Sequence, residues 1–420
     1  MVNPYLLKFG FQPPVIHAKP NPKTGLFVVI PCYDEPDLIQ SLESLLKCTP
    51  PSCPVEVITV INAGIETAIS IKEKNSATLI SATQWAAKNE LDWITFHFIE
   101  NQQLPKKHAG VGLARKIGMD EAVARLTFLE KDDVPIICFD ADSSCDKNYF
   151  VEIEKAFNSN PKAKGAGIYF EHPISGTQFS DSIYSSIIDY ELHLRYYKNA
   201  LEFSGHPMAC FTIGSSMAVM VSAYQSQGGM NKRKAGEDFY FMQKIVERFP
   251  VLEINTTKVI PSPRPSHRVP FGTGRAISEF GEGKNSDETY NFNGFGDLKV
   301  LNEKLEVFYH KKKVEQLVTS IDIPESIRSF LIEQKFEERI PDLLEYGRTW
   351  ETFHKRFYNW FNAFRALKYV HFSRDNYYNN SSLINAVSNL AKALDLELEI
   401  QKNTSNQELL NVMRKHDKAQ

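Results

Sequence analysis

The stretch Pro135-Ile-Ile-Cys-Phe-Asp-Ala-Asp-Ser-Ser-Cys145 places two aspartates, one residue apart, at the end of a short apolar run. The run over 136–140 is typical of a buried strand, and its period-2 alternation predicts that Asp140 and Asp142 point to the same side. In open α/β sheets, ligands bind at the carboxyl ends of the strands. Two carboxylates there suit a hard divalent cation and, through it, a phosphate-bearing ligand. A solvated acidic loop is the alternative interpretation of this stretch alone.

Apolar runs alternate with amphipathic helical patterns on both sides of this stretch. The predicted strands cover residues 25–31, 55–61, 93–99, 136–140, 165–170 and 251–260. The predicted helices cover residues 38–46, 76–89, 111–130, 182–200 and 236–249, and strand, turn and strand are predicted over 209–221. Strands separated by helices form right-handed βαβ units, so we predict an α/β fold with a mostly parallel sheet.

The chain of 420 residues is long enough for about two or three domains. We predict an irregular lead-in over 1–25, an α/β domain over 26–280 and an all-helical domain over 281–420. Aromatic residues recur at helical spacing between Phe353 and Phe364 in the last region. This spacing favours packing in a core over a surface that stacks against carbohydrate.

Composition limits the class of protein and its partners. Apolar residues make up 42% of the chain and charged residues 24%, as in ordinary globular proteins, and the net charge of −3 argues against a general nucleic-acid-binding surface. The six cysteines form no Cys-x-x-Cys pair and are predicted to be reduced. Because neither a secretion signal nor a run of ~18 apolar residues is found, we predict a cytoplasmic protein without a transmembrane segment. Peripheral contact with a membrane is left open.

Four motifs, in this order along the chain, resemble those of family 2 glycosyltransferases of the GT-A fold. The family's first strand and nucleotide-contacting loop are similar to Phe27-Val-Val-Ile-Pro-Cys-Tyr-Asp-Glu35, and its DxD motif is similar to Phe139-Asp-Ala-Asp142. Ala109-Gly-Val-Gly-Leu-Ala-Arg-Lys-Ile-Gly118 resembles its glycine-containing helix start. Gly229-Met230 followed by Gly236-Glu-Asp238 resembles its acceptor-side segment with the catalytic ED pair. The resemblance covers roughly residues 25–275 and implies a GT-A fold, Rossmann-like with a mostly parallel sheet.

The resemblance implies that the loop after the first strand contacts the nucleotide through Pro31, Tyr33, Asp34 and Glu35. Asp34 is also the candidate N-cap of the helix that follows, and capping is compatible with binding. Asn62 lies at the end of the second predicted strand, where the family often has an aspartate. The resemblance therefore supports a nucleotide contact at Asn62 less strongly than at the residues of the first loop.

A basic cluster precedes the predicted helix at 111–130. Lys106, Lys107, His108 and Arg115 are suited to anchor phosphates near a helix N-terminus, and Gly110 lies in the same motif. The alternative is a solvated loop in which Arg115 pairs with an acid.

A divalent cation would neutralise the charge that builds on a nucleoside diphosphate as it leaves a sugar, and Mn²⁺ or Mg²⁺ suits a site with two aspartates. We assign Asp142 as the direct ligand. For Asp140, a second candidate ligand, the resemblance implies contact with the ribose or a metal-bound water.

The basic loop over 261–275 is rich in Gly and Pro, which is typical of lids that order over a ligand. His267 is a candidate to complete the metal shell, as a late histidine does in several GT-A enzymes. Arg268, with Arg264 and Arg275, is a candidate to bind the diphosphate. A solvent-exposed loop histidine is the alternative for His267.

A sugar hydroxyl needs a base to accept its proton as it attacks. The resemblance implies that Asp238 is this base and that Glu237 shapes the acceptor pocket. The alternative is a helix N-terminus stabilised by two acids.

We therefore expect metal-dependent sugar transfer from a nucleotide-diphosphate sugar to a hydroxyl acceptor of unknown type: a glycan, a lipid-linked acceptor or a small molecule. One displacement with inversion is expected if Asp238 is the base. The absence of a QxxRW motif and of membrane spans argues against processive synthesis. A retaining GT-A transferase and a degenerate GT-A domain that acts as a non-catalytic interaction module are the alternatives.

Overall fold

A mixed sheet of eight strands forms the centre of the α/β part of the chain. In this computed structural model, residues 3–265, 287–311, 316–397 and 404–420 are described. The strands are β1 (Leu26–Cys32), β2 (Val55–Gly64), β3 (Ile94–Leu104), β4 (Pro135–Cys138), β5 (Ser144–Cys145), β6 (Gly165–Phe170), β7 (Met217–Met220) and β8 (Val251–Ile260). Their order across the sheet is β3-β2-β1-β4-β7-β6-β8-β5.

Parallel pairing joins β3, β2, β1 and β4, and it also joins β6 to β8. Strand β7 runs antiparallel to both β4 and β6, and the short β5 runs antiparallel to β8. Because β1, β2 and β4 are parallel neighbours, their carboxyl ends lie at one edge of the sheet.

Helices connect these strands and cover the sheet. They are α1 (Pro4–Phe9), α2 (Leu38–Leu46), α3 (Ile69–Lys88), α4 (Val111–Phe128), α5 (Tyr149–Ser159), α6 (Asp181–Phe203), α7 (Val221–Ser226) and α8 (Glu237–Val246). The predicted α/β fold class, a mostly parallel sheet flanked by helices with a helical C-terminal region, is confirmed.

Continuous burial explains why the first strands have few polar residues. All ten residues of β2 are buried, and in β1 only Pro31 is partly exposed. Helix α4 packs closely over these strands, since a Cβ on Gly118 would lie 2.5 Å from Cγ1 of Val29. This close contact fixes the position of α4, whose second turn carries Arg115.

Several local predictions were wrong. The lead-in contains helix α1, which Asn3 caps by accepting hydrogen bonds from the amides of Tyr5 and Leu6. Strand β4 ends at Cys138, two residues earlier than predicted. The residue in the N-cap position of α2 is Asp37, so Asp34 does not have the predicted capping role.

Residues 209–221 were predicted to form strand, turn and strand, but they contain only strand β7 before helix α7 begins at Val221. Helix α3 begins at Ile69, seven residues before the predicted start. Its apolar side chains are sparse, so periodicity alone did not reveal its first two turns.

The region after β8 is helical within the described residues. Its helices are Phe292–His310, Leu317–Ser320, Glu325–Glu333, Phe336–Tyr346, Trp350–Trp360, Ala363–Asn376, Leu383–Ala393 and Asn406–Ala419. Two strands of two residues, Glu288–Thr289 and Ser381–Ser382, pair antiparallel. Phe353, Phe357 and Phe361 are at most 1% exposed, as predicted for a core. A lipid bilayer could not be crossed by any helix within the described ranges.

The described chain divides into two compact units. One comprises residues 3–187, 212–265 and 417–420, and the other comprises residues 188–211, 287–311, 316–397 and 404–416. The predicted domain limits at 25 and 280 stay a prediction.

Candidate active site

Arg115, in the first turns of α4, connects two of the predicted motifs. Its side chain is 3% exposed. Nη1 donates a hydrogen bond to Oε1 of Glu237, and Nη2 donates to Oδ1 of Asp140. Its Nε has no hydrogen-bond acceptor among the described residues. We name Arg115, Asp140, Glu237 and Asp238 the Arg115 cluster.

The residues of the Arg115 cluster come from the end of β4, from α4 and from the start of α8. Asp140 follows the carboxyl end of β4, and Glu237 and Asp238 begin helix α8. Gly112 allows the segment before α8 to approach α4, because a side chain at this position would place its Cβ only 2.4 Å from the carbonyl oxygen of Arg233. The amide of Gly112 donates to that oxygen at 3.2 Å. The glycine in this motif therefore serves a close packing contact.

Asn231 stabilises the segment that precedes α8 through two hydrogen bonds to its main chain. Its Nδ2 donates to the main-chain oxygen of Glu237 at 2.7 Å, and its Oδ1 accepts from the amide of Arg233 at 3.2 Å. These bonds fix the turn that leads into α8. They therefore orient the Glu237 side chain independently of its contact with Arg115.

Electrostatics in the Arg115 cluster favour retention of a proton. Burial raises the pKa of Glu237 to about 8, against the opposing effect of Arg115 and with help from the charge of Asp238. Burial also raises the pKa of Asp238, whose Oδ1 accepts from the amide of Phe239 at 2.7 Å. Burial alone would lower the pKa of Arg115, but Asp140 and Glu237 outweigh it and raise that pKa. Glu237 and Asp238 therefore retain a proton to higher pH than isolated carboxyls do.

Arg264 forms a second cluster at the same edge of the sheet. Its Nη2 donates to Oε2 of Glu35, and its Nη1 donates to Oδ2 of Asp37 at 3.2 Å. Nη2 also lies 3.5 Å from Oδ2 of Asp142. We name Arg264, Glu35, Asp37 and Asp142 the Arg264 cluster. It joins the loop after β1 to the predicted DxD motif.

The loop after β1 has an unusual backbone at Asp34, where φ is +48°. Non-glycine residues adopt this left-handed region rarely, and aspartate is one of the few that tolerate it. The amide of Asp34 donates to Oδ1 of Asn75 at 2.9 Å, and Nδ2 of Asn75 donates to the main-chain oxygen of Asn62 at 3.0 Å. Asn75, which is 1% exposed, thus connects two predicted nucleotide-contacting residues.

The structure separates the predicted basic cluster into independent parts. Lys106 forms an exposed ion pair with Glu66 at 2.9 Å, and Lys107 is exposed. His108 Nδ1 lies 3.2 Å from the carbonyl oxygen of Lys232. Arg115, in contrast, is buried among carboxylates. The predicted role of these residues as a phosphate anchor stays a prediction.

The remaining predicted residues are placed as follows. Pro31 lies in β1 and Tyr33 is half-buried in the loop after it, while Asn62 is 3% exposed within β2. Gly110 precedes α4, where a Cβ would lie 2.7 Å from Cα of Lys234. His267, Arg268 and Arg275 lie outside the described residues, and their roles stay predictions.

Sequence reasoning missed Asp37, Asn75 and Asn231. Asn75 contacts residues 13 and 41 positions away along the chain, and Asn231 fixes a turn through its amide group. No periodicity distinguishes such asparagines from exposed ones. Only Asp37 had a local signal, because it is an acid immediately before a helix.

The donor atoms of the site suit a hard cation. Each cluster has three carboxylates and one guanidinium, so negative charge is in excess even if Glu237 and Asp238 retain one proton between them. The side chains of Asp140, Asp37 and Asp142 are 36%, 28% and 25% exposed, so all three are accessible to a ligand. Within the described ranges, no group of three or more His, Cys, Asp or Glu side chains is already gathered for a metal. Carboxylate oxygens such as those of Asp140 and Asp142 are ligands that hard cations prefer, and the metal site itself stays a prediction.

Removal of the Arg115 charge should destabilise the protein strongly. We expect Arg115→Gln to lower the free energy of unfolding by about 3–5 kcal/mol at pH 8, because Asp140 and Glu237 lose their partner. The loss should be smaller at pH 5, where protonation removes part of the repulsion. Urea unfolding at both pH values measures this effect. Lys106→Gln, which breaks an exposed pair, should change stability by about 1 kcal/mol or less at either pH. Equal losses in the two variants would contradict the central role of Arg115.

The raised pKa of Glu237 predicts a pH dependence of stability. The carboxyl has a pKa of 4.5 when unperturbed and about 8 in the folded chain, so the folded state retains a proton that the unfolded state loses. This contribution is present below pH 4.5 and is lost as pH rises through about 8. Glu237→Gln should therefore show a shallower fall in unfolding free energy between pH 5 and 8 than the unmodified chain. Glu66→Gln, at an exposed position, is the control and should retain the original slope; a retained slope in Glu237→Gln would contradict this assignment.

Comparison with known proteins gives only distant similarities. No protein family and no curated protein matches the chain. Among solved structures, it is similar to residues 1–349 of S. aureus TarS in complex with UDP-GlcNAc, with 13% identity, a TM-score of 0.40 and coverage of 77% of this chain and 90% of that chain. The same part of TarS in complex with UDP is 13% identical, with a TM-score of 0.37 and coverage of 84% and 90%. It is also similar to another structure of S. aureus TarS, with 12% identity, a TM-score of 0.36 and coverage of 75% of this chain and 53% of that chain.

Proposed function

We propose that the chain transfers a sugar from a nucleotide-diphosphate sugar to a hydroxyl acceptor, with Mn²⁺ or Mg²⁺ bound, by one displacement that inverts the anomeric carbon. The observation that carries the proposal is the meeting of the loop after β1, the start of α4, the Asp140–Asp142 pair and the start of α8 at one edge of the sheet. These segments are far apart in sequence, and their acids and arginines form two adjoining clusters.

The excess of negative charge supports a requirement for metal. A nucleoside diphosphate is itself an anion, so the six carboxylates would repel it without a cation. Asp142, with Asp140, would hold Mn²⁺ or Mg²⁺, and the bound ion would supply charge neutralisation for the departing diphosphate. His267, which lies outside the described residues, remains a candidate further ligand.

The loop after β1 would bind the nucleoside. Glu35 and Asp34 present carboxylate oxygens that can accept hydrogen bonds from a base edge or ribose hydroxyls. Asn75 holds the strained backbone of Asp34 in place through its side-chain amide. Arg264 already pairs with Glu35 and lies near Asp142, so it is positioned to exchange a carboxylate for a diphosphate oxygen.

Asp238 is the proposed general base. The acceptor oxygen attacks the anomeric carbon as its bond to the diphosphate breaks, the diphosphate leaves with the electron pair of that bond, and the hydroxyl proton passes to Asp238. A raised pKa suits this role, because it brings the carboxyl closer to the operating pH. Glu237, held by Arg115, would orient the acceptor and stay in place during the reaction.

A non-catalytic nucleotide-binding module is the second candidate. It is favoured by the two internal guanidiniums, which neutralise part of the charge that would otherwise attract a metal. Calorimetric titration with UDP-GlcNAc, which TarS binds in a solved structure, and with GDP-sugars separates the candidates. Binding without any effect of Mn²⁺, and without turnover, favours the module. Among enzymes, proton NMR of the product distinguishes inversion from retention, and retention would exclude Asp238 as the base of a direct displacement.

Asp142→Asn tests the metal site. The amide keeps the size of the side chain but removes its charge, so we expect the enhancement of donor binding by Mn²⁺ to be lost while the fold is kept. Calorimetry with and without MnCl₂ measures this enhancement. Asp132→Asn, which changes an exposed acid away from the clusters, should bind donor and metal as the unmodified chain does. An unchanged Mn²⁺ effect in Asp142→Asn would remove Asp142 from the site.

Asp238→Asn tests the base. An amide cannot accept the acceptor proton, so kcat should fall by roughly 10²–10⁴-fold, the usual contribution of general-base catalysis. Donor affinity, measured by calorimetry, should change little because Asp238 does not contact the proposed nucleotide loop. A near-normal kcat would refute this role, and loss of donor binding would indicate structural damage instead.

A further inference from the structure

A cavity of about 530 Å³ lies within the helical unit of the chain. Its walls come from three consecutive helices, Phe336–Tyr346, Trp350–Trp360 and Ala363–Asn376, and from Asn362, the N-cap of the third. The cations that line it are Arg339, Arg356, Arg365 and Lys368. A volume of this size is in the usual range for small-molecule pockets, roughly 300–1,000 Å³.

The charges of this cavity are largely uncompensated. No carboxylate is among its described lining residues. Arg339 pairs with Asp342 at 2.7 Å, whereas Arg356, Arg365 and Lys368 form no ion pair with any residue in the described ranges. Burial and, after it, the positive charge of Arg339 lower the pKa of Arg365. Neighbouring cations without acids are unfavourable alone, and an anion would relieve their repulsion.

The guanidinium groups are also held in place. The guanidinium carbon of Arg365 lies 4.3 Å from the ring centroid of Trp360, and its Nη1 donates to the carbonyl oxygen of Trp360. The corresponding carbon of Arg356 lies 5.2 Å from the ring centroid of Tyr346. Its buried Nε has no acceptor among the described residues. Stacking against aromatic rings leaves the edges of a guanidinium available for oxygen ligands.

The other walls are apolar or neutral. Trp360, Leu343 and Phe364 supply apolar surface, and Phe364 is 37% exposed although Phe353, Phe357 and Phe361 of the same aromatic series are buried. Asn359 and Asn362 add amide groups that can bond to hydroxyls. The cavity thus offers positive charge for one part of a ligand and mixed apolar and amide surface for another.

We propose that this cavity binds a phosphate ester of a hydroxylated organic molecule. The phosphate would be held by Arg356, Arg365 and Lys368, and the organic group would contact Trp360 and the two asparagines. A bare phosphate ion would leave most of the volume unfilled. The proposal concerns the helical unit and does not depend on the proposed transfer reaction.

The experiment uses the full chain and two sources of the same chemistry. Glucose 6-phosphate is titrated by calorimetry, with glucose as the uncharged comparison, and phosphatidylglycerol vesicles are used in a co-sedimentation assay. We expect glucose 6-phosphate or the vesicles to bind and glucose not to bind. The stronger of the two binders indicates whether the ester is a soluble molecule or a lipid head group.

Variants assign the binding to this cavity. Arg365→Gln and Lys368→Gln should each weaken it by roughly tenfold, since each removes a charged hydrogen-bond donor. Lys355→Gln removes an exposed cation from the helix Trp350–Trp360 outside the cavity and should leave the affinity unchanged. Lys368 is exposed, so its variant should fold normally even if Arg365→Gln does not. Absence of binding by both probes, or equal affinities in Lys368→Gln and Lys355→Gln, would overturn the proposal.

Discussion

The buried charge of Arg115 is the interaction on which the α/β site depends. A guanidinium that is 3% exposed must have anionic partners, and it finds them in Asp140 and Glu237. Those acids are themselves buried or half-buried and would repel one another without it. The end of β4, the start of α4 and the start of α8 are therefore joined by a single charge. Gly112 and Asn231 then adjust the backbone so that these elements can approach.

The Arg264 cluster repeats this arrangement around an arginine that is more accessible, 20% exposed against 3% for Arg115. Arg264 is partly exposed, and its contact with Asp142 is long at 3.5 Å. Its hold on Asp142 is accordingly weaker than that of Arg115 on Glu237, because solvent screens exposed charges. The two clusters therefore differ in strength. The first joins the framework through buried charges, and under the proposed function the second would exchange partners when an anion and its cation bind.

The aromatic helices show how one periodic pattern can serve two purposes. Phe353, Phe357 and Phe361 follow one another along the buried face and form core contacts. Trp360 and Phe364 belong to the same series, but they face the cavity, where Arg365 and Lys368 lie over their rings. Periodicity identifies an apolar stripe, whereas the packing of neighbouring helices decides which of its members are left beside an open space.

The sequence by itself determined the class of fold, most strands and helices, and the acids that meet at the edge of the sheet. Continuous apolar runs are sufficient to indicate buried parallel strands, and Asp140 and Asp142 are visible because they directly follow one. Only the tertiary structure decided the partners. Arg115 could not be assigned to Asp140 and Glu237 from spacing, since these acids are 25 and 122 residues away. Asn75, Arg264 and the basic cavity likewise depend on contacts between distant segments, which local patterns do not encode.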